Sequence, residues 1–299
     1  MEPIRFLASD GFALAGTRFM PAQAPRAIVV LAGAMGVRQD FYHPFAGYLA
    51  QQGFAVLTFD YRGMGASVPE KFRHSLRGFE ADLLDWAQRD YHAALCAARS
   101  WHDSAPLLLV GHSLGGQLPG LLPAPELVDG ILTVAAGNGY WRHNAARIRY
   151  LVWILWYLAV PLATRLYGYF PGKRMRMVGD LPKGVVRQWA QWCTNPHYVV
   201  DHAGHPIRDG FERFRVPLLS LHFTDDELMS RRSIDNLHDC YRNASVERRV
   251  IRPQDVNAGR IGHFGFFRTQ FRETLWQQAS AWLEQRTEGG RQALARKSA

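Results

Sequence analysis

Leu107-Leu108-Leu109-Val110-Gly111-His112-Ser113-Leu114-Gly115-Gly116 is the stretch that decides how the rest of the chain is read. Four apolar residues without a break predict a strand buried on both faces. The next five residues have the form Gly-x-Ser-x-Gly, in which a chain leaves a strand and enters a helix through a turn tight enough to strain its central residue. The flanking glycines are needed because a Cβ there would collide with the neighbouring strand or helix. Ser113 is therefore expected at the carboxyl edge of a sheet, its hydroxyl exposed and a helix N-terminus behind it.

Outward from this point, strands and helices alternate. Upstream, Ile4–Leu7 and Phe12–Phe19 flank an Asp10-Gly11 turn and predict an edge hairpin. Ala27–Leu31 and Ala55–Phe59 predict buried strands, with a helix between them over Phe41–Gln52 that stops at Gly53. Asp60–Ser67 is a turn, and Glu80–Trp101 reads as one long amphipathic helix. Downstream, Gly130–Ala135, Leu218–Phe223 and Val246–Ile251 predict strands, with helices over Ser233–Tyr241 and Phe271–Glu284. This rhythm implies an α/β fold with a mostly parallel, doubly wound sheet and right-handed crossovers. It breaks between residues 137 and 214, where tryptophan, tyrosine and proline accumulate. The expected organisation is a core formed by 1–136 and 215–286, an inserted helical cap at 137–214, and a disordered basic tail at 287–299.

Composition narrows the function classes. The chain has 299 residues, 47% of them hydrophobic and 20% charged, ordinary values for a soluble globular protein with a sizeable core. Three distant cysteines, Cys96, Cys193 and Cys240, argue against a disulfide framework and fit a reducing compartment. Met1–Gly16 lacks the pattern of a signal peptide, so a cytoplasmic location is expected. The net charge of +9 is spread over the chain, with local excesses at Lys173–Arg176, Arg248–Arg252 and Arg286–Lys297. That spread favours a soluble basic surface over a nucleic-acid partner, with weak attraction to anionic membranes as the lesser reading. His197, His202, His205, Asp201 and Asp209 are irregularly spaced and have no cysteine partner, so no metal is expected there.

Taken together, these landmarks resemble the α/β-hydrolase superfamily over nearly the whole chain, and most closely a bacterial branch of predicted serine hydrolases. They are the Gly loop at Ala32–Gly36, the turn at Asp60–Ser67, the elbow at Ser113, and an acid followed by a histidine after the last two strands. The resemblance implies an order of Ser, Asp, His. Its strand-Gly-x-x-Asp pattern aligns Asp226 of Thr224-Asp225-Asp226-Glu227 with the acid and leaves Asp225 as a turn or cap residue. Of 12 histidines, His263 alone has the right position and a glycine neighbour, Gly262, that leaves room for its ring. His112 should point away from substrate. Backbone N–H groups of Leu114 and of Ala34, or of Met35 if the loop is shifted, would stabilise an oxyanion. The family commonly has His-Gly at the start of that loop, whereas this chain has Ala32-Gly33.

The expected reaction is hydrolysis of a carboxylic ester or thioester of an apolar or aromatic small molecule through an acyl-enzyme on Ser113, with no cofactor. An aminopeptidase or an acyltransferase on the same fold, and a non-catalytic binding protein, are the alternatives. Tyr150–Ala163, rich in tryptophan and tyrosine, allows three readings: a helix packed on the core, an apolar wall for an acyl chain, or a membrane-interface helix. Trp153, Trp156 and Trp189 are the candidate substrate contacts. Oligomeric state is not specified by any of these features.

Overall fold

The computed structural model describes residues 1–175, 177–201 and 203–297, with side chains described as far as residue 287. Its centre is an eight-stranded sheet in the order β1-β2-β4-β3-β5-β6-β7-β8. The strands are β1 (Glu2–Leu7), β2 (Ala13–Phe19), β3 (Ala27–Ala32), β4 (Phe54–Asp60), β5 (Leu107–His112), β6 (Gly130–Val134), β7 (Pro217–Phe223) and β8 (Ser245–Ile251). β1 and β2 form the antiparallel edge, and every pairing from β4 to β8 is parallel.

The apolar runs become central strands because both faces are covered. Ile28 and Val30 of β3 pack with Leu107, Leu109, Trp86 and Leu95 on one side. Val29 and Leu31 pack with Leu108, Val110, Phe45 and Trp276 on the other. Such a sheet favours apolar residues at successive positions, which is why the sequence pattern is nearly continuous rather than alternating; the buried Thr58 and Thr133 are hydrogen-bonded, to Gln39 and His238. β3 and β5 are neighbours although β4 lies between them in sequence, so the strand order reverses there. In open α/β sheets this switch point is where loops diverge and leave a crevice. The Gly loop after β3 and the turn after β5 both leave from it.

Two helical expectations need correction. The helix predicted over Glu80–Trp101 contains a π-helical stretch, Asp85–Tyr91, followed by an α-helix, His92–Arg99. Within that stretch Asp90 is fully buried, and it accepts hydrogen bonds from the backbone N–H and the guanidinium of Arg62 at 2.8 and 2.7 Å. The pair binds the turn after β4 to this helix. The closing helix spans Leu275–Lys297, so most of the expected disordered tail continues it, while Ser298 and Ala299 lie outside the described residues. Among the described residues, 135–216 add no strand to the sheet; they form helices and loops, tied by isolated antiparallel bridges such as Phe170 with Leu181 and Val200 with Pro206.

Candidate active site

Ser113 occupies the strained position its motif predicts, with φ +50° and ψ −114°, a conformation that costs a non-glycine residue roughly 1–3 kcal/mol. The strain persists because its surroundings over-determine it. The N–H of Ser113 donates to the carbonyl of Val134 at 3.0 Å, and its carbonyl accepts from Gly116 at 3.0 Å. A Cβ on Gly115 would lie 2.1 Å from the carbonyl oxygen of Ala32, and one on Gly111 would lie 2.6 Å from that of Gly115. No side chain fits at either position. Ser113 keeps 8% of its surface accessible.

His263 lies in a short helix, Gly262–Gly265, and its Nδ1–H faces the carboxylate of Asp226 at 2.9 and 3.1 Å. Both side chains are buried. Asp226 Oδ1 also accepts the backbone N–H groups of Leu228 and Met229 at 2.8 and 2.9 Å, which sets the plane of the carboxylate. Nδ1 as donor leaves Nε2 of His263 as the free acceptor of the ring.

The two neighbouring acids grip the same loop by its backbone. Asp225 Oδ2 accepts from Ile261 and Gly262 at 2.8 and 3.1 Å, and Glu227 Oε2 accepts from His263 at 3.1 Å. Asp225 is therefore the turn residue the sequence implied, although the turn it holds lies thirty-odd residues downstream. Glu227 was not singled out by sequence. The only signal for it is its place directly after the Asp pair.

A second connection runs beneath the elbow. The carbonyl of His263 can only accept, so His112 donates to it from Nε2 at 3.0 Å. Nδ1 of His112 is then an acceptor, and it takes the hydroxyl of Tyr42 at 2.9 Å. The Tyr42 oxygen in turn accepts the N–H of Ala34 at 2.8 Å. Burial, reinforced by the neighbouring ring of His263, holds the His112 pKa well below its usual value, so the ring stays neutral and the chain of bonds keeps one direction. His112 thus points under the site, as expected, with its ring centroid 5.2 Å from that of His263.

This network corrects the first choice of second oxyanion donor. The N–H of Ala34 is committed to Tyr42, whereas that of Met35 donates to no group among the described residues. Leu114, first in the helix Leu114–Gln117, has no acceptor within the helix for its N–H. Tyr42→Phe should leave the Ala34 N–H and His112 Nδ1 unpaired, at a cost of about 1–3 kcal/mol for each buried orphan. The expected result is a lower Tm together with a fall in kcat at little changed KM. A variant unchanged in both would remove the network from the account.

The three tryptophans do not form a substrate wall. Trp153 is 44% exposed and lies at a tilt against Tyr157, with ring centroids 5.4 Å apart. Trp156 is buried edge-on against Trp189, with centroids 4.8 Å apart, and Trp189 donates from Nε1 to the hydroxyl of Tyr198 at 3.3 Å. A groove of about 870 Å³ instead lies beside the site, and none of these tryptophans lines it. It takes Gly36 from the loop after β3, Phe264 from beside His263, and Phe41, Met64, Met177 and Val178 from around them. In the histidine-rich loop, Asp201 accepts the N–H and faces Nδ1 of His205 at 2.8 and 3.3 Å, a local turn; His202 lies outside the described residues.

Comparison with known proteins agrees with the fold that carries these residues. A model of the alpha/beta hydrolase family matches residues 28–271. No curated protein matches the sequence. Among solved structures, a soluble variant of monoglyceride lipase from Saccharomyces cerevisiae is similar at 14% identity and a TM-score of 0.65, covering 96% of each chain. A carboxyl esterase from Bacillus coagulans is similar at 13% identity and 0.63, covering 96% of this chain and 98% of that one. The esterase domain of a Rhodothermus marinus protein is similar at 18% identity and 0.57, covering 95% and 98%. At these identities the likeness is one of fold.

Proposed function

Because the chain belongs to the alpha/beta hydrolase family, we propose that it is a serine hydrolase that cleaves carboxylic esters or thioesters of apolar or aromatic small molecules through an acyl-enzyme on Ser113. The observation that carries this reading is the buried His263–Asp226 pair, tied through His112 to the strained elbow that presents Ser113. A fold kept only for binding would have no use for that combination of strain and burial.

In this reading Ser113 Oγ attacks the carbonyl carbon while its proton passes to Nε2 of His263. Asp226 holds Nδ1–H and stabilises the imidazolium. Charge on the carbonyl oxygen is met by the N–H groups of Leu114 and Met35, each worth about 3 kcal/mol in the transition state. His263 returns the proton to the leaving alcohol or thiol. Water then attacks the acyl-enzyme with His263 again as base, releasing a carboxylic acid and free Ser113. Residues 137–214 serve as a cap whose Met177 and Val178 close one side of the groove; with Phe41, Met64 and Phe264 they offer apolar contacts to an acyl or alcohol group, in a lining that also carries Arg38, Asp40, Arg73 and Lys173.

A panel of p-nitrophenyl esters of increasing acyl length, run beside an aminoacyl anilide, tests this. Turnover of the esters with little or none of the anilide is expected. Preference for the anilide would overturn the ester assignment.

A further inference from the structure

We propose that the helix spanning residues 149–167 docks the protein flat on an anionic lipid surface. The inference does not depend on the hydrolytic reading. This helix is long and apolar enough to cross a membrane, yet it is attached to the body along one side. Trp156, Val160, Ala163 and Thr164 are buried, and Trp156 packs on Trp189. A helix held in this way cannot span a bilayer without being torn from its own domain. The reading of this segment as simple core packing accounts for that side alone.

The opposite side is apolar and uncovered. Leu151, Ile154, Leu158, Leu162 and Leu166 recur at a spacing of three to four residues with Tyr150 next to the first, and each of the six is at least 45% exposed. A contiguous exposed apolar face of this kind marks an interaction site. Trp153 and Tyr157 stand beside it, 5.4 Å apart; such side chains have an apolar body and a polar tip, suited to the boundary between headgroups and acyl chains.

Charge selects the occupant. Residues 137–200 contain nine Lys and Arg against one Asp, a net +8 of the chain's +9. The local excess noted at Lys173–Arg176 is thus part of a longer basic segment, and the rest of the chain is almost neutral. Arg142 and Arg147 lie before the apolar face, Arg165 within its last turn, and Arg174 beyond it; all four are exposed and make no ion pair among the described residues. A second copy of the chain would bring two surfaces of the same sign together, whereas anionic headgroups complement the basic rim and the acyl region accepts the leucines.

The test is co-sedimentation of the full chain with vesicles of neutral phosphatidylcholine and with vesicles containing a third phosphatidylglycerol, at low and high salt. The expected result is partitioning onto the anionic vesicles that weakens with salt and falls by at least about tenfold in Arg147→Glu/Arg165→Glu. Leu151→Asp/Leu158→Asp should lose binding to both vesicle types while keeping the wild-type Tm and circular dichroism spectrum, since both residues lie on the exposed side. Ser113→Ala should bind as wild type does. No binding to anionic vesicles, equal binding to both vesicle types, or self-association through this face in sedimentation velocity would each overturn the proposal.

Discussion

Ser113→Ala is expected to lower kcat for ester hydrolysis on the order of 10⁶-fold while leaving the fold intact. The size follows from the role: without the hydroxyl there is no acyl-enzyme, and what remains is whatever the oxyanion donors achieve with water. His263→Ala should cost a similar factor, and the double variant should be no worse than either single one, because the two groups act in one proton transfer. Alanine has to adopt the same positive φ as Ser113, so the variant keeps the strain and gains no new clash. An unchanged Tm with lost turnover is the expected signature. Independent, multiplying losses would show that the two residues do not work as a unit.

Asp226→Asn should cost about 10⁴-fold with little loss of stability. The geometry fixes how the amide would sit. Its oxygen is held at the Oδ1 position by the N–H groups of Leu228 and Met229, so the NH2 group takes the Oδ2 position, 2.9 Å from Nδ1 of His263. There it donates, and Nδ1 must become an acceptor. The ring proton moves to Nε2, which can then no longer take the proton of Ser113. The variant would be folded but locked in the wrong tautomer. Asp225→Asn is the matched control: one amide oxygen can still accept from Ile261 and Gly262, so most of the activity should survive. A reversed outcome, with Asp225 essential and Asp226 dispensable, would reassign the acid.

Much of this could be read from the sequence because the underlying constraints are local. A strand buried on both faces reads as a nearly continuous apolar run, and β3 to β6 are such runs, broken within β4 and β6 only by the buried threonines Thr58 and Thr133. The elbow needs glycine at fixed offsets, since Gly111 and Gly115 each face a backbone carbonyl at a distance no Cβ could occupy. What could not be read depends on contacts between distant residues. Tyr42 looks like one more aromatic at a helix start, and only the fold sets its hydroxyl between Ala34 and His112. For the same reason the sequence leaves Ala34 and Met35 as alternatives, and only the fold shows that the Ala34 N–H is already bonded to Tyr42. The tryptophans misled because aromatic richness is shared by packed helices, pocket walls and interfacial faces; Trp156 and Trp189 pack on each other, while Trp153 lies on the exposed side for which a lipid surface is proposed. The π-helical stretch at Asp85–Tyr91 has no periodic signal of its own.

The central claim is that Ser113 is an activated nucleophile. A fluorophosphonate reacts with a serine only where a base removes its proton and an oxyanion site receives the phosphoryl oxygen, and peptide mass spectrometry identifies the modified residue. The account predicts one adduct, on Ser113, absent in Ser113→Ala and slowed by orders of magnitude in Asp226→Asn. An unlabelled wild-type chain, or label that persists in Ser113→Ala, would contradict it.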